Sequence, residues 1–221
     1  MKVNYQKIAV ASILTAVSLL VLAGLVQAAT FIPTNRGNLI GNAAIISRVP
    51  EKLINNKPVK FIGSIASLEQ ASLGISRLKI PTINVDALIE PMGVTQDGAM
   101  EAPSSAQYVG WYAFGPRPGE NGSAVLAGHY GRWKSGDVSV FDNLHTLKPG
   151  DKLYVQDKDG ITITFIVRQL RTYDKNDDTS EIFISDDGVS HLNIITCAGV
   201  YNETLKTYSD RLVVFTDKQS E

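Results

Sequence analysis

The sequence predicts an all-β domain with short helices, a small barrel or sandwich, carried behind an N-terminal transmembrane helix. Three observations lead there. Residues 8–29, "IAVASILTAVSLLVLAGLVQAA", are almost wholly apolar, and no charged residue lies between Lys7 and Arg36. From Arg77 onward the chain breaks into short β-prone runs divided by Gly, Pro, Asn and Asp. No long helical pattern interrupts those runs, and strands recurring at that spacing build a barrel or a sandwich.

The apolar run is long enough to cross a hydrocarbon core as a helix, which takes about 20 residues. Lys2 and Lys7 precede it, which keeps the N-terminus inside and sends the rest of the chain out. A cleaved signal peptide is the rival reading, because "VQA" before Ala29 resembles a small-residue cleavage site. The run exceeds the roughly 7–15 residues of a signal-peptide core, which favours a retained single-pass anchor in the cell membrane. Either reading exports the domain. Residues 30–76 form a stalk in this reading, with turn formers in "FIPTNRGNLIGN". Phe61, Ile65 and Leu68 at helical spacing predict a short amphipathic helix. The organisation is therefore an anchor over 1–29, a stalk over 30–76 and a folded domain over 77–221.

Within the domain, "SRLKIPTINV" and "DALIEPMGV" read as the first strands, followed by the turn "TQDG". "GSAVLAGHY" is a buried strand that stops at the glycine before His129. "SVFDNLHTL" predicts one or two helical turns. "GDKLYVQD" and "ITITFIVRQLRTY" pair as a hairpin about "DKDG". The charged stretch "YDKNDDTSE", residues 173–181, reads as solvated loop. "HLNIITC" and "RLVVFTD" supply the last two strands.

Composition narrows the chemistry. A formal net charge of -1 with 19% charged residues offers no basic surface for nucleic acid. One cysteine excludes an internal disulfide, a CxxC redox pair and a Cys-rich zinc site. His129, His145 and His191 are too few and too scattered for a metal site. A hydrophobic content of 44% allows a core that needs no disulfide.

Three side chains then stand out. Cys197 ends "LNIIT", His129 follows "AVLAG", and Arg211 opens "RLVVF" fourteen residues after the cysteine. A lone cysteine is most often small apolar filler, and His129 or Arg211 alone would read as surface residues. Each of the three lies at a strand end or start by this reading, and strand ends of a barrel converge on one mouth. A thiolate attacks acyl carbon, and nearby cations favour it. A histidine in reach protonates a leaving amine and deprotonates an incoming one. An arginine donates to a carbonyl or a developing oxyanion. The trio therefore suits acyl transfer through a thioester. His145 reads as a surface residue. His191, on the same strand face as Cys197 but about 20 Å away, is a poor proton-transfer partner.

These segments resemble the sortases, the membrane-anchored cysteine transpeptidases of bacterial surfaces. The family signature TLxTC appears as "NIITC", with Thr196 and Cys197 in place and Asn193 and Ile194 departing from it. Arg211 stands where the family's downstream arginine belongs, and "GSAVLAGHYGRW" is similar to its small-residue strand running into a histidine. "RLKIPTINVDALIEPMGV", "VGWYAFGPRPGENGSAVLAGH" and "LHTLKPGDKLYVQDKDG" follow in the family's order, so the resemblance covers about residues 77–217. The wording is nearest the class D, E and F-like branches.

The resemblance implies an eight-stranded β-barrel and exported protein substrates bearing an LPxTG-like sorting signal. It implies attack by Cys197 on the carbonyl of the signal's Thr, proton transfer by His129, and oxyanion support from Arg211. Thr196 would help present the signal. The acceptor would be an amine of a cell-wall precursor or a pilin lysine, and no cofactor is implied. The Asn193 and Ile194 departures bear on substrate preference. All of this requires the three groups to line one groove open to solvent.

Overall fold

The computed structural model describes Val49, residues 75–133 and residues 136–220. The expected anchor over 8–29 and the amphipathic helix around Phe61, Ile65 and Leu68 lie outside the described residues. Among the described residues no helix is long and apolar enough to cross a membrane.

Eight strands close into a barrel, the number the resemblance implies. In chain order they are β1 (Ile75–Ile80), β2 (Val85–Met92), β3 (Val109–Tyr112) and β4 (Gly122–Gly128), then β5 (Lys152–Asp157), β6 (Thr162–Asp174), β7 (Ser190–Asn202) and β8 (Thr207–Lys218). Around the barrel the order is β1-β2-β3-β4-β7-β8-β6-β5. β2 runs parallel to β3, and β4 runs parallel to β7; the other pairs are antiparallel. Closure leaves no free sheet edge. β4 is a central strand buried on both faces, which is why it reads "SAVLAG" with no polar alternation.

The barrel interior takes one side chain in two from each strand. Leu78, Val85, Val109, Leu126, Leu153, Phe165, Ile194 and Val214 all belong to that cluster. Phe141, Leu144 and Leu147 of the long β4–β5 connection join it, around a short 3-10 turn at Leu144–Thr146. The alternate residues of β4, β7 and β8 face outward into a second cluster containing Val125, Ala127, Ile195, Cys197, Val213 and Phe215.

Three elements differ from the sequence reading. "SRLKIPTINV" is strand only as far as Ile80, because Pro81 starts a 3-10 turn and Asn84 adopts a left-handed φ of 56° that leads into β2 at Val85. The charged stretch at 173–181 runs into a short helix, α1 (Ser180–Phe183). Its Ile182 and Phe183 are buried in the second cluster, so apolar anchoring overrides the polar composition before it. The last two strands extend well past "HLNIITC" and "RLVVFTD" into a long hairpin. Cys197 and Arg211 therefore sit inside strands rather than at their ends. The hairpin about "DKDG" forms as expected: Asp157 accepts from the amides of Asp159 and Ile161, and Gly160 takes φ 85°.

Candidate active site

Strand register assembles the trio. In the β7–β8 ladder Cys197 lies directly opposite Arg211. In the parallel β4–β7 ladder the last pair is Ala127 with Ile195. One step further the Thr196 hydroxyl donates to the Gly128 carbonyl at 2.8 Å. His129 is the residue that leaves β4 after Gly128, and Cys197 is the residue that follows Thr196 on β7. Gly128 and Thr196, 68 positions apart in the chain, thus become neighbours, and strand alternation puts Cys197 and Arg211 on the outer face with Ile195 and Val213. On that face Cys197 is buried within the second apolar cluster.

Gly128 explains how β4 delivers His129. A Cβ on it would run into the Phe141 ring and stand 2.7 Å from Val140 Cγ1. Only glycine lets the β4–β5 connection close this tightly behind the histidine. The Phe141 amide then donates to the His129 carbonyl at 3.1 Å.

The His129 ring is fixed at its far side. Nε2 lies 2.9 Å from the Pro103 carbonyl. A carbonyl only accepts, so Nε2 carries the hydrogen and Nδ1 is the basic nitrogen. Nδ1 is buried with no protein partner. The Trp133 ring meets the imidazole edge-on at 4.6 Å. Burial lowers the proton affinity of His129 below the usual histidine range; the Pro103 contact and the Glu90 charge oppose that.

The Arg211 guanidinium is held by the hairpin it belongs to. Nη1 donates to the carbonyls of Tyr208 at 3.1 Å and Asp210 at 2.8 Å, and Nη2 donates to Thr207 Oγ1 at 3.3 Å. Burial pushes the Cys197 thiol up to about 11, and the Arg211 charge across the ladder pulls the other way. Just after Cys197 the ladder carries a bulge between Ala198 and Tyr201. Gly199 adopts φ 79° there, and its missing side chain leaves room for Ser209 and Asp210.

The expected open groove is covered. Cys197 is 4% exposed, His129 2% and Arg211 4%. Tyr130 and Tyr208 pack against the cluster that holds Cys197, with their rings edge-to-face at 5.4 Å. Gly131, at φ 85°, makes room for the Tyr208 hydroxyl. Val49 is buried in the same cluster, and its amide donates to the Gly98 carbonyl at 2.9 Å. The reason is apolar area: the outer face of β4, β7 and β8 is lined by Val, Ile, Ala and Phe and draws the surrounding aromatics over itself.

Thr196 does not face the groove. It is on the opposite side of β7 from Cys197, fully buried, with its hydroxyl committed to Gly128. Asn193, the departure from the signature, does face the groove; its Nδ2 donates to the Ile182 carbonyl at 2.6 Å and ties α1 to β7. His145 lies on the surface, 3.1 Å from the Asp142 carbonyl. His191 bridges Asp217 at 2.7 Å and Asp187 at 3.0 Å, six residues along β7 from Cys197. Among the described residues no three His, Cys, Asp or Glu side chains converge as metal ligands.

A sortase domain model matches residues 78–219. The chain belongs to the sortase family. Solved sortases share its fold. Streptococcus agalactiae sortase C1, crystallised with MTSET, aligns with a TM-score of 0.50 at 24% identity, over 66% of this chain and 67% of that one. Streptococcus pneumoniae sortase C aligns with a TM-score of 0.53 at 22% identity, over 67% of this chain and 70% of that one. Corynebacterium diphtheriae sortase A aligns with a TM-score of 0.51 at 21% identity; the chain spans 61% of its length. A search of curated proteins found no match.

Proposed function

We propose that this sortase is a membrane-tethered cysteine transpeptidase acting on exported proteins with an LPxTG-like sorting signal. The supporting observation is the register that sets Cys197 opposite Arg211 on β8, with the β4–β7 ladder ending two residues before His129 and Cys197. The Cys197 sulfur, as thiolate, bonds to the carbonyl carbon of the signal's Thr. Arg211 donates to the oxyanion that forms. The carbon–nitrogen bond to Gly breaks as the His129 imidazolium gives its proton to the departing amine. An incoming amine then attacks the thioester, loses its proton to His129, and expels the sulfur as thiolate. The amine belongs to a cell-wall precursor or to a pilin lysine. Residues 8–29 hold the enzyme at the membrane with the barrel outside. Thr196 serves the signal only indirectly, by holding the His129 strand to the Cys197 strand.

In the covered state a neutral thiol beside a neutral imidazole is the stable pair, because burial disfavours both charges. The reactive thiolate–imidazolium pair is a minor population until the groove opens.

The test is incubation of the full chain in detergent with an LPxTG-type peptide library and candidate amines, read by mass spectrometry. A thioester on Cys197 and an amine-linked product are expected, and both vanish in Cys197→Ala. Full turnover in Cys197→Ala would end the mechanism. A hydrolase would give the same product with and without amine. The sealed sulfur favours a second reading, a tethered peptide-binding module without catalysis. Under that reading Cys197 alkylates only after denaturation, whether or not peptide is present.

A further inference from the structure

The His129 ring depends on one backbone carbonyl, so whatever holds Pro103 holds the base. Pro103 lies in the β2–β3 connection, 26 residues before His129. It has no side-chain hydrogen bond of its own to fix it. The next residue does. Glu90 on β2 accepts the Ser104 amide at 2.5 Å through Oε1 and the Ser104 hydroxyl at 3.0 Å through Oε2. Both oxygens of one half-buried carboxylate are thus spent on a single residue. β2 is anchored on its other side, where Glu90 pairs with Gly110 in the β2–β3 ladder.

We propose that Glu90 is a positioning residue for His129: by clamping Ser104 it holds the Pro103 carbonyl against Nε2, which fixes Nδ1 as the basic nitrogen. This rests on the transpeptidase reading only for its kinetic consequence; the tautomer itself is a property of the folded protein.

The carboxylate contributes a second effect through space. Its negative charge favours the imidazolium, against the burial that disfavours it. The other titratable or charged groups on the elements around His129 include Glu101 of the β2–β3 connection, Tyr130, Arg132, Asp137 and Asp142 of the β4–β5 connection, Cys197 of β7, and Tyr208, Asp210 and Arg211 of β8. Of all these, Glu90 is the charged group that acts on the imidazole. One side chain therefore sets both which nitrogen is protonated and how readily the second proton is taken.

The experiment uses full-length chain carrying nitrogen-15 histidine, as wild type, Glu90→Gln, Glu90→Ala and Ser104→Ala. Wild type should show a single Nε2–H tautomer for His129. Glu90→Gln keeps an acceptor for the Ser104 amide, so the tautomer should persist while the imidazole titrates at lower pH. Glu90→Ala should show mixed tautomers, and Ser104→Ala a smaller effect in the same direction. With peptide and amine, kcat should fall about tenfold or more in Glu90→Ala, since a misplaced catalytic group costs up to about 100-fold, with KM unchanged. The acid limb of the pH–rate profile should move in Glu90→Gln. Unchanged tautomer and titration in both Glu90 variants overturns the proposal whatever the activity. Loss of turnover in Cys197→Ala with these spectra intact upholds the transpeptidase reading separately.

Discussion

Thr196→Val isolates the tie between the two strands that carry sulfur and imidazole. The swap keeps the branched shape and deletes one hydroxyl that is fully buried and 2.8 Å from the Gly128 carbonyl. Losing a buried hydrogen bond and stranding its partner costs about 1–2 kcal/mol. For a domain of this size each kcal/mol lowers Tm by about 2–4 °C. The same loosening lets Gly128, and His129 after it, drift from Cys197, so thioester formation slows about tenfold while KM holds. Thr196→Ser keeps the hydroxyl and restores the rate. Thermal unfolding and single-turnover thioester formation measure the two effects together. A Thr196→Val protein with wild-type Tm and raised KM would refute the tie and put Thr196 back in contact with the sorting signal.

Other perturbations follow from the same geometry. Gly128→Ala drives a methyl into Phe141 and Val140 and should cost about 1–3 kcal/mol by overpacking, measured by urea unfolding. Arg211→Ala should cut turnover about 10²–10³-fold as an oxyanion donor is lost; it also removes the charge that favours the thiolate, so alkylation of Cys197 should move to still higher pH. The Cys197 thiol is raised from its ordinary value of 9.0 to about 11 in the fold. The native state therefore holds this proton when the unfolded chain has released it, so stability is full below about pH 9 and declines from there through about 11. The slope approaches about 1.4 kcal/mol per pH unit, and its absence in Cys197→Ala checks the assignment. Asp187 is held down to about 2 by the Val189 amide, the His191 imidazole and the Ser185 hydroxyl. Its stabilising contribution is present above the ordinary carboxylate range and fades as pH falls towards 2. In His191→Gln, carboxyl-carbon NMR should find Asp187 titrating higher but still below 3.8, because the amide and hydroxyl remain.

His129, Cys197 and Arg211 stand out in the sequence because a short motif marks each: glycine before the histidine, threonine before the cysteine, apolar strand after the arginine. The facing of Thr196 was also within reach, since alternation along "NIITC" places it opposite Cys197. The break at Pro81 was signalled by Pro and Asn three residues apart. Glu90 left no trace, because it acts through the Pro103 carbonyl, a group every residue possesses. α1 was hidden by the acidic run before it; only Ile182 and Phe183 mark it, and their anchor Asn193 lies across the β6–β7 connection. The apolar cluster that buries Cys197 draws in Val49, Tyr130 and Tyr208, three residues from three distant segments that no local pattern joins.

The placement of β7 between β4 and β8 has a temporal consequence. A ribosome adding about 5–20 residues per second finishes Cys197 roughly 3–14 s after His129. Arg211 and the strand that walls the sulfur on its other side come later still. A nascent chain therefore carries the imidazole and the thiol apart until β7 and β8 are made, and the strands that bear them meet only when the barrel shuts.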